Sequence, residues 1–428
     1  MLTAMRKTLL FVTALAAITL SASHSALAAV GVVEGSYIVT FKKDAGLIQP
    51  PNEANRGKGN VPFGEHSTGQ SKNELAATLR TTGEVAAIFE TINAVHMKMD
   101  AKEADRLSKD NRVLRIEQDR IVTAQATQIN PGWGLDRLDS PTPILSNAYN
   151  YSNTGAGRTI YILDSGLALS NPTVAAEFGG RASVIYDASG GSGDDCSGHG
   201  TMVASAAAGN TMGVAKGATL LIARIANSAC INLLSVSIDA FNWLAANAPA
   251  GTIVNWSQAL EDGDPNINCG TAFSPELENS IIAAHNAGVI VVVAAGNDGC
   301  NTASYSPTNI PQAFVVGATH SGRLPGADAM AYFSRTGWNI STFAPGHLVR
   351  VMDKNGSQTI TSGTSLSAPY IAGIFAIACQ AAGATYCATR GTANLYADLR
   401  NTGTLGTVTN TDGTPLTGAT SRFIWQQW

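Results

Sequence analysis

The sequence predicts an α/β protein in two folded pieces, a small α+β unit of ferredoxin-like order followed by a larger unit on a mainly parallel central sheet with helices on both faces. Three observations carry that prediction. Charge density falls sharply partway along the chain; before the fall the periodic segments run βαββαβ; after it, unbroken apolar strands alternate with Ala-rich helical stretches. The 428 residues are 45% hydrophobic and only 14% charged, with 43 Gly, which excludes a disordered tail, a collagen and a coiled coil.

The first residues are set apart. Arg6 and Lys7 precede an apolar run from Thr8 to Leu20, and Ala26-Leu27-Ala28 supplies a small-x-small cleavage site, so residues 1–28 read as a signal peptide and the mature protein as secreted, to the outside or the periplasm. At 13 residues the run is shorter than the roughly 20 a membrane-spanning helix needs, so no membrane association is expected once it is removed.

Residues 29–125 hold 13 Lys and Arg and 13 Asp and Glu, whereas residues 126–428 hold 12 and 18 in three times the length. The break marks a domain boundary near Ile121–Asn130 and gives the larger piece a net charge of −6. An overall charge of −4, with no long basic run, excludes the electrostatic footprint of nucleic-acid binding.

In the small piece Ser36–Lys42 alternates as a strand and Lys72–Arg80 has helical periodicity. Glu84–Glu90 and Val95–Met99 read as strands about an Ile92-Asn93 turn, Ala101–Lys109 as a helix, and Val113–Ile121 as the last strand. That order names a common module and no function. In the large piece the buried strands are Thr159–Leu163, Thr252–Val254, Val289–Val293 and Phe314–Gly317. Active residues of such sheets gather at the carboxyl ends of the strands, where Asp164 and Asn297 stand.

All six cysteines, Cys196, Cys230, Cys269, Cys300, Cys379 and Cys387, lie in the large piece, and an even set in an exported chain reads as three disulfides of 15 conceivable connectivities. No Cys-x-x-Cys or paired Cys/His spacing suggests zinc.

Three motifs carry chemistry. Asp164-Ser165-Gly166 puts a carboxylate at a strand end before a glycine turn, although such a turn is often only a turn. Gly198-His199-Gly200-Thr201 places an imidazole on the first turn of a helix, between glycines that admit close backbone approach. His285, His320 and His347 lack that setting and read as core or surface groups. Ser365, in Ser362-Gly363-Thr364-Ser365-Leu366-Ser367-Ala368-Pro369, opens an apolar helix whose free N–H groups point where an oxyanion would form; alone it reads equally as an N-cap.

Asp-Ser-Gly, His-Gly-Thr and Gly-Thr-Ser-x-x-Ala-Pro in this order, with Ala294-Ala295-Gly296-Asn297 before the serine, resemble the subtilase family of serine endopeptidases, most closely its proteinase K-like branch, over about residues 130–428. The resemblance implies a subtilisin-like three-layer fold over residues 126–428, with 29–125 as an inhibitory prodomain. It implies His199 as the base for Ser365, Asp164 as the residue that orients His199, and Asn297 with the Ser365 N–H as oxyanion donors. It further implies the pairs Cys196–Cys230 and Cys269–Cys300, leaving Cys379–Cys387. The implied enzyme is a monomer that cuts proteins and peptides, matures itself, is inhibited by its own propeptide and needs no cofactor for chemistry.

The chain departs from the family pattern in several places. Met202 stands for the usual second His and Leu366 for the usual Met, both packing positions, so activity is expected to survive. The substrate strand that usually reads Ser-Leu-Gly is Ser257-Gln258-Ala259, and Ala259 should narrow a primary pocket walled by Ala294, Ala295 and Gly296. Ile231-Asn232-Leu233-Leu234 replaces a Gly/Ser-rich strand. A proteinase K-like calcium site would take carbonyls at Pro311 and Ala313 and an aspartate where this chain has Ser341, so structural calcium there is doubtful and the metal ligands are unknown. Two other readings were weighed. A catalytically silent subtilase-like binding protein is opposed by the intact four-residue set, and an aspartic protease would need a second copy of Asp-Ser-Gly.

Overall fold

The computed structural model describes residues 32–49, 70–120, 126–260, 269–324, 327–383 and 385–427. The expected signal peptide and the stretch 121–125 of the expected boundary lie outside the described residues.

The small unit runs β1 (Val32–Phe41), α1 (Lys72–Leu79), β2 (Glu84–Phe89), β3 (Ala94–Lys98), α2 (Ala101–Ser108), β4 (Val113–Arg120). Its four strands form an antiparallel sheet in the order β2-β3-β1-β4. Local chemistry sets the element ends. Ser71 and Asp100 cap the two helices by accepting the Glu74 and Glu103 N–H groups, and Asn93 takes the left-handed conformation in the turn between β2 and β3. Leu75, Leu79 and Leu107 from the helices meet Val39, Phe41, Val95 and Met97 of the sheet in a core of its own.

The large unit opens with β5 (Ala126–Ile129), α3 (Trp133–Arg137) and β6 (Ala148–Tyr151), and β5 pairs antiparallel with β6. There follow β7 (Thr159–Asp164), α4 (Pro172–Phe178), β8 (Ala182–Asp187), α5 (His199–Ala208), β9 (Thr219–Arg224), α6 (Leu234–Asn247), β10 (Ile253–Trp256), α7 (Pro275–Asn286), β11 (Ile290–Ala294) and β12 (Phe314–Leu324). The chain ends with β13 (Ala327–Met330), β14 (Ile340–His347), the hairpin β15 (Val349–Met352) and β16 (Gln358–Thr361), α8 (Thr364–Ala381), α9 (Tyr386–Thr389), α10 (Thr392–Thr402) and β17 (Val408–Thr409). The main sheet is ordered β17-β13-β12-β11-β10-β7-β9-β8, with β14 also on β12. From β12 to β8 every pairing is parallel, and β13 runs antiparallel to β12.

The centre of this sheet is dry. All residues of β10 and β11 are buried, as the unbroken apolar runs require of strands covered on both faces. The one helix among the described residues long and apolar enough to resemble a membrane span is α8, and 89% of that window is buried inside the protein, where it serves as a core helix.

A buried ion pair ties the start of this unit to its end. Arg137 donates to Asp328 from Nε at 2.8 Å and Nη2 at 2.6 Å, and its guanidinium lies 3.8 Å from the centre of the Phe423 ring. Both partners are out of solvent, so removing one strands the other. Arg137→Met should therefore cost about 3–5 kcal/mol, read as a fall in the melting temperature of the inhibited enzyme. Adding Asp328→Leu should recover most of it; an unchanged melting temperature in the single variant would contradict this account.

Candidate active site

The site lies where the parallel strands end. Asp164 closes β7, Gln258 follows β10 by two residues, and Asn297 follows β11 by three. Asp164 is fully buried, and its oxygens are spoken for: the Ser165 N–H donates to Oδ1 at 2.7 Å, Gln258 Nε2 donates to Oδ2 at 3.1 Å, and His199 Nδ1 lies 2.8 and 3.0 Å from the two. A carboxylate only accepts, so the proton facing it must sit on Nδ1, which leaves Nε2 as the basic edge. The His199 side chain is 33% exposed.

The glycines of the two motifs make this meeting sterically possible. A Cβ on Gly200 would collide with the Gly166 carbonyl oxygen, and Gly166, at φ 115°, has no room for one against the Gly193 and Asp194 carbonyls. Asp195, which the sequence reading passed over, then locks the start of α5. This buried carboxylate accepts from the Ser165 hydroxyl, the Ser197, Gly198 and Thr201 N–H groups and the Thr201 hydroxyl. It acts as a cap on the helix that carries His199 while gripping the residue beside Asp164. Its sequence signal was an acidic residue just before a glycine-led helix. The Cys196–Cys230 disulfide, with Cα atoms 5.7 Å apart, joins this turn to the loop after β9.

Ser365 is the second residue of α8, after Gly363 as N-cap, where backbone N–H groups lack intrahelical partners. Pro369 stands four residues on. Lacking an N–H, it cannot bond the Ser365 carbonyl, and the Ser257 hydroxyl donates to that oxygen instead at 2.9 Å. The proline of the motif thus hands the backbone of Ser365 to the residue that follows β10.

Asn297 is oriented by its own oxygen. Oδ1 accepts from the Thr364 N–H at 2.8 Å and the Thr364 hydroxyl at 2.9 Å, so its Nδ2 is turned toward Ser365. A Cβ built on Gly363 would lie 2.9 Å from Ser365 Oγ and 3.6 Å from Asn297 Nδ2, so the two groups face one point. The loop is braced by Asp298, which accepts from Arg335 Nε at 2.8 and 2.9 Å and from Nη2 at 2.5 Å, and by the Cys269–Cys300 disulfide. Partial burial opposes ionisation of Asp298, yet the Arg335 guanidinium holds its carboxyl below the usual value.

These elements enclose a cleft of about 260 Å³ lined by Asp164, His199, Ser257, Gln258, Ala259, Ala294, Gly296, Asn297 and Ser365, together with Asn232 and Cys230. Ala295 is not on its wall; it is fully buried, with its N–H bonded to the Val316 carbonyl. Leu366, in the first turn of α8, is buried, and Met202 packs at the core margin. The third disulfide, Cys379–Cys387, joins α8 to α9. Ser341 lies buried in β14, and its hydroxyl brings no charge to offset calcium, so the residues there do not fit the ion. Among the described residues, no three of His, Cys, Asp and Glu gather where they could hold a metal.

A hydroxyl at a helix N-terminus, opposite an imidazole oriented by a buried carboxylate, suits acyl transfer. Its chain order of carboxylate, imidazole and hydroxyl, at the edge of a parallel sheet, is that of the subtilisin-like class of serine peptidases. Residues 155–404 match the subtilase family and residues 36–125 the peptidase inhibitor I9 family; the chain belongs to the subtilases and is a serine endopeptidase. It is 36% identical to an extracellular serine proteinase of Thermus sp. (strain Rt41A), over 85% of each chain. It is 30% identical to a cuticle-degrading serine protease of Arthrobotrys oligospora, over 81% of each. A crystal structure of a cold adapted subtilisin-like serine proteinase superposes with a TM-score of 0.59 at 29% identity, covering 69% of this chain and 98% of that one.

The charge on Asp164 raises the His199 pKa above its usual 6.5, burial works against this, and the hydrogen bond to Asp164 and the charge on Asp195 add to the rise. An NMR titration of the imidazole in a Ser365→Ala variant should give a midpoint above 6.5. Asp164→Asn should bring it down. A midpoint at or below 6.5 with Asp164 in place would contradict the electrostatics described here.

Proposed function

We propose that the chain is exported through residues 1–28, held inactive by residues 29–125, and released as a monomeric secreted endopeptidase made of residues 126–428. The extracellular relative and the inhibitor-family match support this order. The observation that carries the chemistry is the bond from His199 Nδ1 to buried Asp164 in the same cleft as Ser365 and Asn297. Ser365 Oγ attacks the peptide carbonyl while His199 Nε2 takes its proton; the C–N bond breaks as that proton passes to the leaving amine, and water, activated by the same imidazole, hydrolyses the acyl-enzyme. Asn297 Nδ2 and the Ser365 N–H hold the oxyanion. Ser257, Gln258 and Ala259 form one wall for substrate, and Ala294 and Gly296 the other. The pairing of β5 with β6 supports a maturation cut at or before Ala126.

Ser365→Ala should abolish peptide hydrolysis and leave a precursor that retains residues 29–125, as N-terminal sequencing of the exported species would show. Efficient self-cleavage by the purified variant would overturn the assignment. Asn297→Ala should still process, with a barrier raised by about 2.7–4 kcal/mol, because a second donor remains. A serine-directed phosphonate that fails to label Ser365 would favour a silent binding protein.

No cofactor takes part in this chemistry, and any calcium would act on stability alone. With Ser341 in place of a carboxylate, EDTA should lower the melting temperature of the inhibited mature enzyme only slightly, and Ser341→Asp should raise both stability and its calcium dependence. A large loss on chelation, reversed by calcium, would locate the ion elsewhere.

A further inference from the structure

The chain's departure from the family pattern at position 258 puts an amide against the catalytic carboxylate. Gln258 Nε2 donates to Asp164 Oδ2 at 3.1 Å, and Gln258 Oε1 accepts from Asn232 Nδ2 at 2.6 Å. The direction of this chain is forced. The ionised carboxylate accepts only, so Gln258 turns its NH2 to Asp164 and its oxygen to Asn232, which must then present its own NH2. Asn232 is itself held, two residues beyond the Cys196–Cys230 bridge and paired with Ala226. Both amides line the cleft.

We propose that Gln258 is a positioning residue, tethered by Asn232, that fixes the Asp164 carboxylate and thereby tunes the basicity of His199. This rests on the reading of Asp164, His199 and Ser365 given above. The amide N–H presents the positive end of its dipole to Asp164, spreads the carboxylate charge and weakens its hold on the His199 proton. The arrangement therefore makes His199 a weaker base than Asp164 alone would, and holds the enzyme's acid limb at lower pH.

Other charges facing His199 stay constant under substitution at 258 or 232. They are Asp164 and Asp195, with Lys354 of the β15–β16 turn beside the neighbouring Gly198. Glu261, Asp262 and Asp264 follow in the sequence, outside the described residues.

The test is the pH profile of kcat/KM for mature enzyme standardised by phosphonate titration, which first establishes that Ser365 is a competent nucleophile. Failure to label sinks the functional reading and not the role of Gln258. In labelling-competent enzyme, Gln258→Leu, close in size but without a donor, should move the acid limb up by about 0.5 pH units and lower the plateau three- to tenfold, mostly in kcat. Asn232→Ala keeps the donor but frees it, so a smaller shift of the same sign is expected. The double variant should match Gln258→Leu alone, since the two act as one chain. An acid limb that stays in place while KM alone rises would show Gln258 to be a substrate contact and overturn the proposal. Additive effects of the two substitutions would do the same to the tether.

Discussion

The site is organised around one buried negative charge. Asp164 has no solvent to stabilise it, so each donor it needs must come from the fold: the following N–H, the imidazole of α5 and the amide of the substrate strand. Those donors belong to three different parts of the chain, and supplying them requires β7, the start of α5 and the end of β10 to meet within a few ångströms. Catalytic geometry is thus a by-product of satisfying a carboxylate, and groups that satisfy it cannot be moved independently.

The carboxyl edge of the sheet makes the meeting, and covalent and ionic ties hold it. Each of the two long-loop disulfides closes on a turn bearing a site residue, Cys196 before His199 and Cys300 after Asn297, and each restrains the unfolded chain by about 2–4 kcal/mol. Asp195 and the Asp298–Arg335 pair brace the same two turns without covalent bonds. The two turns that carry His199 and Asn297 are thus each restrained by a disulfide and by a charged side chain.

Much of this was legible in the residues. The prodomain order followed from periodicity and from Asn93, and β7, β10, β11 and β12 from runs too apolar to face water. In the main sheet β8, β9, β13, β14 and β17 escaped, and for three of them the physical reason is plain. β9 is an apolar run that follows an Ala-rich helix and carries no alternation. β8 alternates only weakly. β14 contains Pro345 and Gly346, which read as a turn until its parallel pairing with β12 supplies the context. Asp195 was passed over because its one sequence signal, an acidic residue before a glycine-led helix, does not reveal the five donors that converge on it after folding. Ala295 read as a wall of the pocket because it lies between two residues that are; strand alternation turns it inward.

The short stretch after β10 joins the cleft wall to Ser365 and Asp164. Ser257 holds the backbone of Ser365, through the carbonyl that Pro369 releases, and the neighbouring Gln258 holds the carboxylate that faces His199. Both side chains also line the cleft into which substrate must fit. The same two residues therefore contact Ser365 and Asp164 and face the cleft as well. A substitution here that reshapes the cleft wall also removes a hydrogen bond to Ser365 or to Asp164, so the shape of the wall and the placement of those two residues share one physical support.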